Sequence, residues 1–229
     1  MNDFTNAFKF MGDNASLMLE KTWEHLVLSF ASIGVAMLLA LPLGGVLGHL
    51  HKGSFIAINV SNVGRALPSL AIISIGLGLL GIGFINVLVA LVILAVPPML
   101  TNAFVAIDRV DPDAVEAARG AGMSNAQILW KVEIPLAVPL MFAGIRTAAV
   151  YVIATATLAA LAGGGGLGDI IINQASYGTP GVIAGSLAVT LLAFLGEAAF
   201  ALLQRAMTPR ALRRKGMAVE LVEPALEGA

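Results

Sequence analysis

Long charge-free runs alternate with short charged breaks along this chain, and the runs are longer than a soluble core requires. Residues 26–48 carry no charge, and neither do residues 66–107. A helix needs about 20 apolar residues to cross the hydrocarbon core of a bilayer. The first run predicts one span. The second is long enough for two, with a turn at LLGIGFIN, residues 79–86. Pro97 and Pro98 fall inside the third span, where neighbouring helices must satisfy the carbonyls that proline frees. A fourth span begins between residues 135 and 143 and ends near 162, and a fifth runs from about 181 to 203. The pattern predicts an all-α integral membrane protein with five transmembrane helices.

Composition agrees. The chain is 58% hydrophobic and 12% charged, with a mean hydropathy of +0.90, against about 25% charged residues in a soluble domain. A net charge of -1 gives no sign of a nucleic-acid partner. The absence of cysteine removes any disulfide framework or thiolate metal site. His25, His49 and His51 lack metal-ligand spacing, and the last two read as part of an interfacial loop beside Lys52.

Three regions follow. Residues 1–25 mix Lys9 and Lys21 with Asp3, Asp13, Glu20 and Glu24, which is no basic leader. They predict an extracytoplasmic segment with a short interfacial helix ahead of a retained first span. Residues 26–205 form one transmembrane domain. Residues 206–229 form a cytoplasmic tail, acidic and disordered after Lys215. Orientation comes from the basic residues. Lys52, Arg109, Arg119, Lys131, Arg205, Arg210, Arg213, Arg214 and Lys215 fall on one side, and only Lys9 and Lys21 on the other. The positive-inside rule puts the N-terminus outside and the C-terminus inside. An odd span count without an internal repeat argues against an inverted-repeat carrier.

The polar break at 108–135 carries helix caps. Asp113 with Glu116 predicts an acidic capping box, and Ser124 with Gln127 a second one. Gly120 and Gly122 are candidate C-terminal caps. Two short helices are expected, about 114–121 and 125–132, bent at Gly122. Ala117, Ala118 and Ala121 keep the first thin enough for another backbone to approach. Such a knob either docks a soluble partner or is a well-capped surface loop.

The spacing Glu116-Ala117-Ala118, Gly122, Val132-Glu133-Ile134-Pro135 resembles the E-A-A, three residues, G, nine residues, I-x-L-P signature of the membrane subunits of binding-protein-dependent ABC importers. Val132 stands for Ile and Ile134 for Leu. The resemblance implies the five-span methionine-importer-like permease fold, with the loop lying between spans 3 and 4. It makes Glu116, Ala117, Ala118 and Gly122 the residues that couple to an ATPase. It also implies partners: a cytoplasmic ATPase dimer that uses the ATP, a second permease subunit, identical or paralogous, and an extracytoplasmic solute-binding protein. This chain would bind no cofactor, hydrolyse nothing and lie in a bacterial cytoplasmic membrane. Over residues 24–205, segments such as ALPSLAI (66–72) and AGIRTAAVYVIATATLAALAGGGGLGDII (143–171) resemble the branch that imports glycine betaine, carnitine and choline. The methionine and amino-acid importers share the same core and form the alternative. An ion-coupled carrier or channel, or a membrane anchor, are more distant readings.

Other features have two readings each. AGGGGLGDI (162–170) lacks the Lys-Ser/Thr of a phosphate loop, which leaves an outer lid or a structural turn, with Asp169 as a cap or a contact for the binding protein. Arg65 reads as a snorkelling side chain at the cytoplasmic edge. Arg146 lies about 16 Å along a helix from Pro135, and Glu197 about 12 Å from Arg205. Both then occupy the cytoplasmic half. There they pair, within one subunit or across a dimer, or snorkel separately. Trp23, Trp130, Tyr151 and Tyr177 form no aromatic cage in sequence. Ser69, Ser74, Thr155 and Thr157 are candidates to line a pathway, or to pack helices.

Overall fold

Ten α-helices make up most of residues 2–208, the part of the chain that the computed structural model describes. The tail expected to be disordered, with Arg210, Arg213, Arg214 and Lys215, lies outside the described residues. α1 (Asn2–Asp13) precedes α2 (Ala15–His49). At 1.5 Å per residue α2 is about 52 Å long, well beyond a hydrocarbon core of roughly 30 Å. Its first turns, with Glu20, Lys21 and Glu24, project past the apolar run. After Gly53, whose φ is 86°, come α3 (Ser54–Ala66) and α4 (Ser69–Leu80). They are separated because Pro68 forces Leu67 to an extended ψ of 119°. Gly81 and Gly83, both at positive φ, turn the chain into α5 (Phe84–Asp108).

The polar break folds as α6 (Pro112–Gly120) and α7 (Asn125–Ile128), followed by a π-helical turn at Leu129–Glu133. That turn runs without a break into α8 (Ile134–Thr155), which tightens to a 3₁₀ segment at Ala156–Ala162. α9 (Gly168–Ile172) and α10 (Gln174–Met207) complete the fold, with α10 broken at Gly178, φ 63° and ψ 178°. Four helical stretches are long and apolar enough to cross a membrane: Ala15–His49, Phe84–Asp108, Asn125–Ala162 and Gln174–Met207. The run expected to begin a second span at residue 66 differs. α4 alone is 12 residues, about 18 Å, because Pro68 and Gly81 cut it at both ends.

α5 is the hub. It packs on α2, α3, α4 and α8, and the main buried cluster joins α2, α5, α8 and the 3₁₀ segment around Leu28, Leu91, Met99, Ile145 and Val152. α2 packs on α5 and carries Ser32, Ala36, Ala40, Gly44 and Gly48, all buried and each four residues from the next, with Gly44 and Gly48 set directly against α5. In lipid, apolar side chains gain little by leaving one another's company, so helices associate by close backbone packing. A Cβ on Gly44 would lie 2.6 Å from the Leu100 carbonyl oxygen, and one on Gly48 would lie 2.7 Å from that of Phe104. A smaller cluster of Leu167, Ile170 and Val189 holds α9 on α10. The expected interfacial helix α1 folds back on α10, with Phe10 edge-on to Tyr177 at 6.2 Å, while Phe4 and Phe8 stay exposed.

Gly44→Ala should therefore lower the thermal unfolding midpoint in detergent by the equivalent of about 1–3 kcal/mol. Gly45→Ala, whose Cβ meets nothing within 4 Å, should leave the midpoint unchanged. Equal midpoints for the two variants would show that backbone approach does not stabilise the α2–α5 contact.

Candidate functional site

The polar knob is built from local caps. Asp111, not Asp113, caps α6: its side chain accepts the Asp113 amide at 3.1 Å, and Pro112 occupies the first turn, where no amide hydrogen is needed. The expected Asp113–Glu116 box is therefore displaced by two residues, because proline is already set for the first helical position. α6 ends in a Schellman motif. The Met123 amide donates to the Ala118 carbonyl and the Gly122 amide to that of Arg119, with Gly122 at φ 80°. Ser124 and Gln127 form a reciprocal capping box, Ser124 N–Gln127 Oε1 at 2.8 Å and Gln127 N–Ser124 Oγ at 3.4 Å. Glu116, Ala117 and Gly122 are exposed, whereas Ala118 is buried beneath them. The outer face of α6 is thus nearly bare backbone, flanked by Glu116 and Arg119.

Two histidine contacts clamp this knob to α2. His49 Nδ1 lies 2.6 Å from Glu133 Oε2, and Glu133 is only 3% exposed. His51 Nδ1 lies 2.9 Å from Asp108 Oδ1. One contact sits just before the knob and the other just after it. A cluster of Ala106, Ile107 and Ala137, with Val110, Leu129 and Ile134 against it, fills the space between. Sequence reasoning treated His49 and His51 as a plain loop. The available signal was two histidines at one membrane edge and two carboxylates, Asp108 and Glu133, bracketing the polar insert.

On the outer side of the bundle, Arg146 Nε lies 3.0 Å from Glu197 Oε1 within the one chain. Arg146 Nη1 also donates to Gln204 Oε1 at 3.3 Å, and Gln204 Nε2 donates to the Pro139 carbonyl at 2.8 Å. These bonds join α8 to α10, and the sequence reading missed Gln204. Of the four hydroxyl residues considered for a pathway, Ser69 opens α4 and Ser74 is exposed on it. Thr155 is buried, and Thr157 Oγ1 donates to the Ala154 carbonyl at 2.8 Å. The structure does not bring the four together.

At the opposite end, the glycine turn is held by carboxylates. Glu24 Oε2 accepts the Gly166 amide at 2.8 Å and Lys21 Nζ at 2.9 Å, and Lys21 also reaches Asp169 Oδ2 at 2.8 Å. Gly163, Gly165 and Gly166 all have positive φ, and a Cβ on Gly165 would lie 2.6 Å from Glu24 Oε2. The Gly166 amide thus already has an anionic partner inside the chain. Beside it, buried His25 places Nε2 2.9 Å from the Ile153 carbonyl oxygen. Among the described residues no group of three His, Asp or Glu gathers as a metal site would require.

Comparison with known proteins adds the family. Residues 30–211 match the family described as binding-protein-dependent transport system inner membrane component. The chain is 39% identical over 207 residues to the choline transport system permease protein OpuBB of Bacillus subtilis, covering 90% of this chain and 95% of that protein. It is 40% identical over 205 residues to the carnitine transport permease protein OpuCB of Listeria monocytogenes, covering 89% and 94%. Among solved structures, an inward-facing form of the MetNI methionine ABC transporter shares the fold at a TM-score of 0.72 and 23% identity, over 85% of this chain and 98% of that one. Its apolar helices and these matches place the chain in the family of binding-protein-dependent transport system inner membrane components.

Proposed function

We propose that this chain is the membrane-spanning subunit of an ABC importer and forms the translocation path for a quaternary-amine osmoprotectant such as glycine betaine, carnitine or choline. The observation that carries the reading is the near full-length identity of about 40% to choline and carnitine permeases. Likeness to the methionine transporter supports the fold and says nothing about the solute.

The geometry supports the following mechanism. α6 and α7 dock on a separate cytoplasmic ATPase dimer, which uses the ATP. Exposed Ala117 and Gly122 let the partner approach the α6 backbone, and buried Ala118 keeps α6 close to the bundle. Motion of the docked knob passes along the unbroken helical path Asn125–Ala162 into α8. The His49–Glu133 and His51–Asp108 contacts pass it to α2 and α5. The Arg146–Glu197–Gln204 group carries α10 with α8. α3 and α4, broken at Leu67-Pro68, cross the membrane together, so the fold has five spans with the N-terminus outside. A second permease subunit completes the path, and the solute-binding protein docks at the outer ends, near Lys21, Glu24 and Asp169. Residues 1–25 stay outside, and residues 206–229 lie on the cytoplasmic side.

Gly122→Asp adds charge and bulk at an exposed position of positive φ. It should leave the amount of folded chain unchanged, release the co-purifying ATPase and lower ATP-dependent betaine uptake into vesicles by at least about tenfold, equivalent to about 1.4 kcal/mol. Unchanged uptake would remove Gly122 from the coupling surface. Arg146→Glu and Glu197→Arg should each reduce uptake, and the double reversal should restore most of it. If uptake does not recover in the double variant, the ion pair has no part in transport.

A further inference from the structure

A cavity of about 350 Å³ opens between α5 and α8, the space of on the order of ten waters. Leu94, Pro97, Pro98 and Asn102 line it from α5, Thr147 and Tyr151 from α8, and Gly64 of α3 closes one side. Pro98 lies about 21 Å from the Phe84 end of α5 and about 15 Å from the Asp108 end, and Thr147 about 20 Å from the start of α8. The cavity is therefore near the middle of the membrane.

The surface around the cavity differs from the most apolar faces of the bundle. There, large apolar side chains are exposed: Leu38, Leu39 and Leu43 on α2, and Leu191, Phe194, Leu195 and Leu202 on α10. Along α8 the exposed stripe begins with Leu136 and Leu140 and changes to Thr147, Tyr151 and Ala154 at the level of the cavity. Irregular or polar surface at this depth belongs against protein or a water-filled cavity.

The chemistry of the lining is specific. Among the described residues, none that lines it is charged. Pro97 and Pro98 have no amide hydrogen, so the carbonyls of Ile93 and Leu94 lose their helical donors. Asn102 Nδ2 donates to the Pro98 carbonyl at 2.8 Å, which leaves Oδ1 as an acceptor. Thr147 Oγ1 donates to the Ala143 carbonyl at 3.0 Å, which leaves its lone pairs. Tyr151 adds an aromatic face. The result is a surface of acceptors and one π-system, without a cation to hold a carboxylate. A trimethylammonium group has no N–H to satisfy and is attracted to diffuse negative potential, above all the face of an aromatic ring.

We propose that this mid-membrane cavity is a transit site for the trimethylammonium head of the solute, with the Tyr151 ring and the oxygens of Asn102, Thr147 and Leu94 replacing its water. The assignment rests on the quaternary-amine reading above. A single ring makes the site weak, as a transit site must be if the solute is to leave it.

The test uses the whole importer, with its ATPase and binding protein, reconstituted in liposomes. Uptake of labelled betaine and choline and ATP hydrolysis are measured together. Tyr151→Leu should lower solute moved per ATP by about fivefold, and Tyr151→Phe should keep more than half of it, because the ring face remains. Hydrolysis should change by less than about twofold in both, since the knob is untouched. Thr147→Cys, in a chain with no native cysteine, should react with a trimethylammonium methanethiosulfonate reagent and be protected by betaine. Leu195→Cys on the lipid face should not react. If the parent importer moves no quaternary amine, the solute reading falls and the transit site falls with it. If the parent moves betaine but Tyr151→Leu matches it in solute per ATP, or Thr147→Cys stays unlabelled, the transit site alone is overturned.

Discussion

The structure depends on how closely α2 and α5 can approach. A helix pair in lipid gains little from burying apolar side chains, because the tails around it are equally apolar. What remains is van der Waals contact between backbones, which falls off steeply once side chains hold them apart. The run Ser32, Ala36, Ala40, Gly44 and Gly48 removes that obstacle on one face of α2. With α2 seated, α5 becomes a buried column, and its other sides are free to receive α3, α4 and α8. The same column then carries Pro97 and Pro98 at mid-depth, where packing on both sides tolerates their missing hydrogen bonds.

Polar contacts are kept away from that seam and concentrated toward the ends. His49–Glu133 and His51–Asp108 close one edge, and Lys21, Glu24 and Asp169 close the other. Arg146, Glu197 and Gln204 tie α8 to α10 on the outer side of the bundle. Each group joins elements far apart in sequence. The apolar core therefore sets the distance between helices, while the end contacts tie together helices that are distant in sequence.

The contrast between helix faces supports the same division. The exposed sides of α2 and α10 are large and apolar, as a lipid-facing surface should be. The exposed side of α8 changes from Leu136 and Leu140 to Thr147 and Tyr151, and polar groups at that depth are costly in lipid but not beside water or protein. From Asn125 onward the second half of the knob and this face belong to one continuous helical stretch, Asn125–Ala162.

Much of this was readable in the residues. Charge-free runs located α2 and α5, and largely apolar runs located α8 and α10, because hydrophobic length is a local property and the bilayer sets its scale. The turn at Gly122 and the Ser124–Gln127 box were legible because caps act over three or four residues. The N-cap at Asp111 was misplaced by two positions, because Pro112 competes for the first turn and a carboxylate pattern alone does not show it. The breaks around α4 were underestimated, since hydropathy averages over Pro68 and Gly81. Rise per residue placed Arg146 and Glu197 at similar depth, but only the folded chain brings them within 3.0 Å and adds Gln204. The histidine–carboxylate clamps, the Glu24–Gly166 bond and the mid-membrane cavity left no periodic trace. They join positions 57 to 142 residues apart or lie where helices cross, and such contacts exist only once tertiary packing has chosen which faces meet.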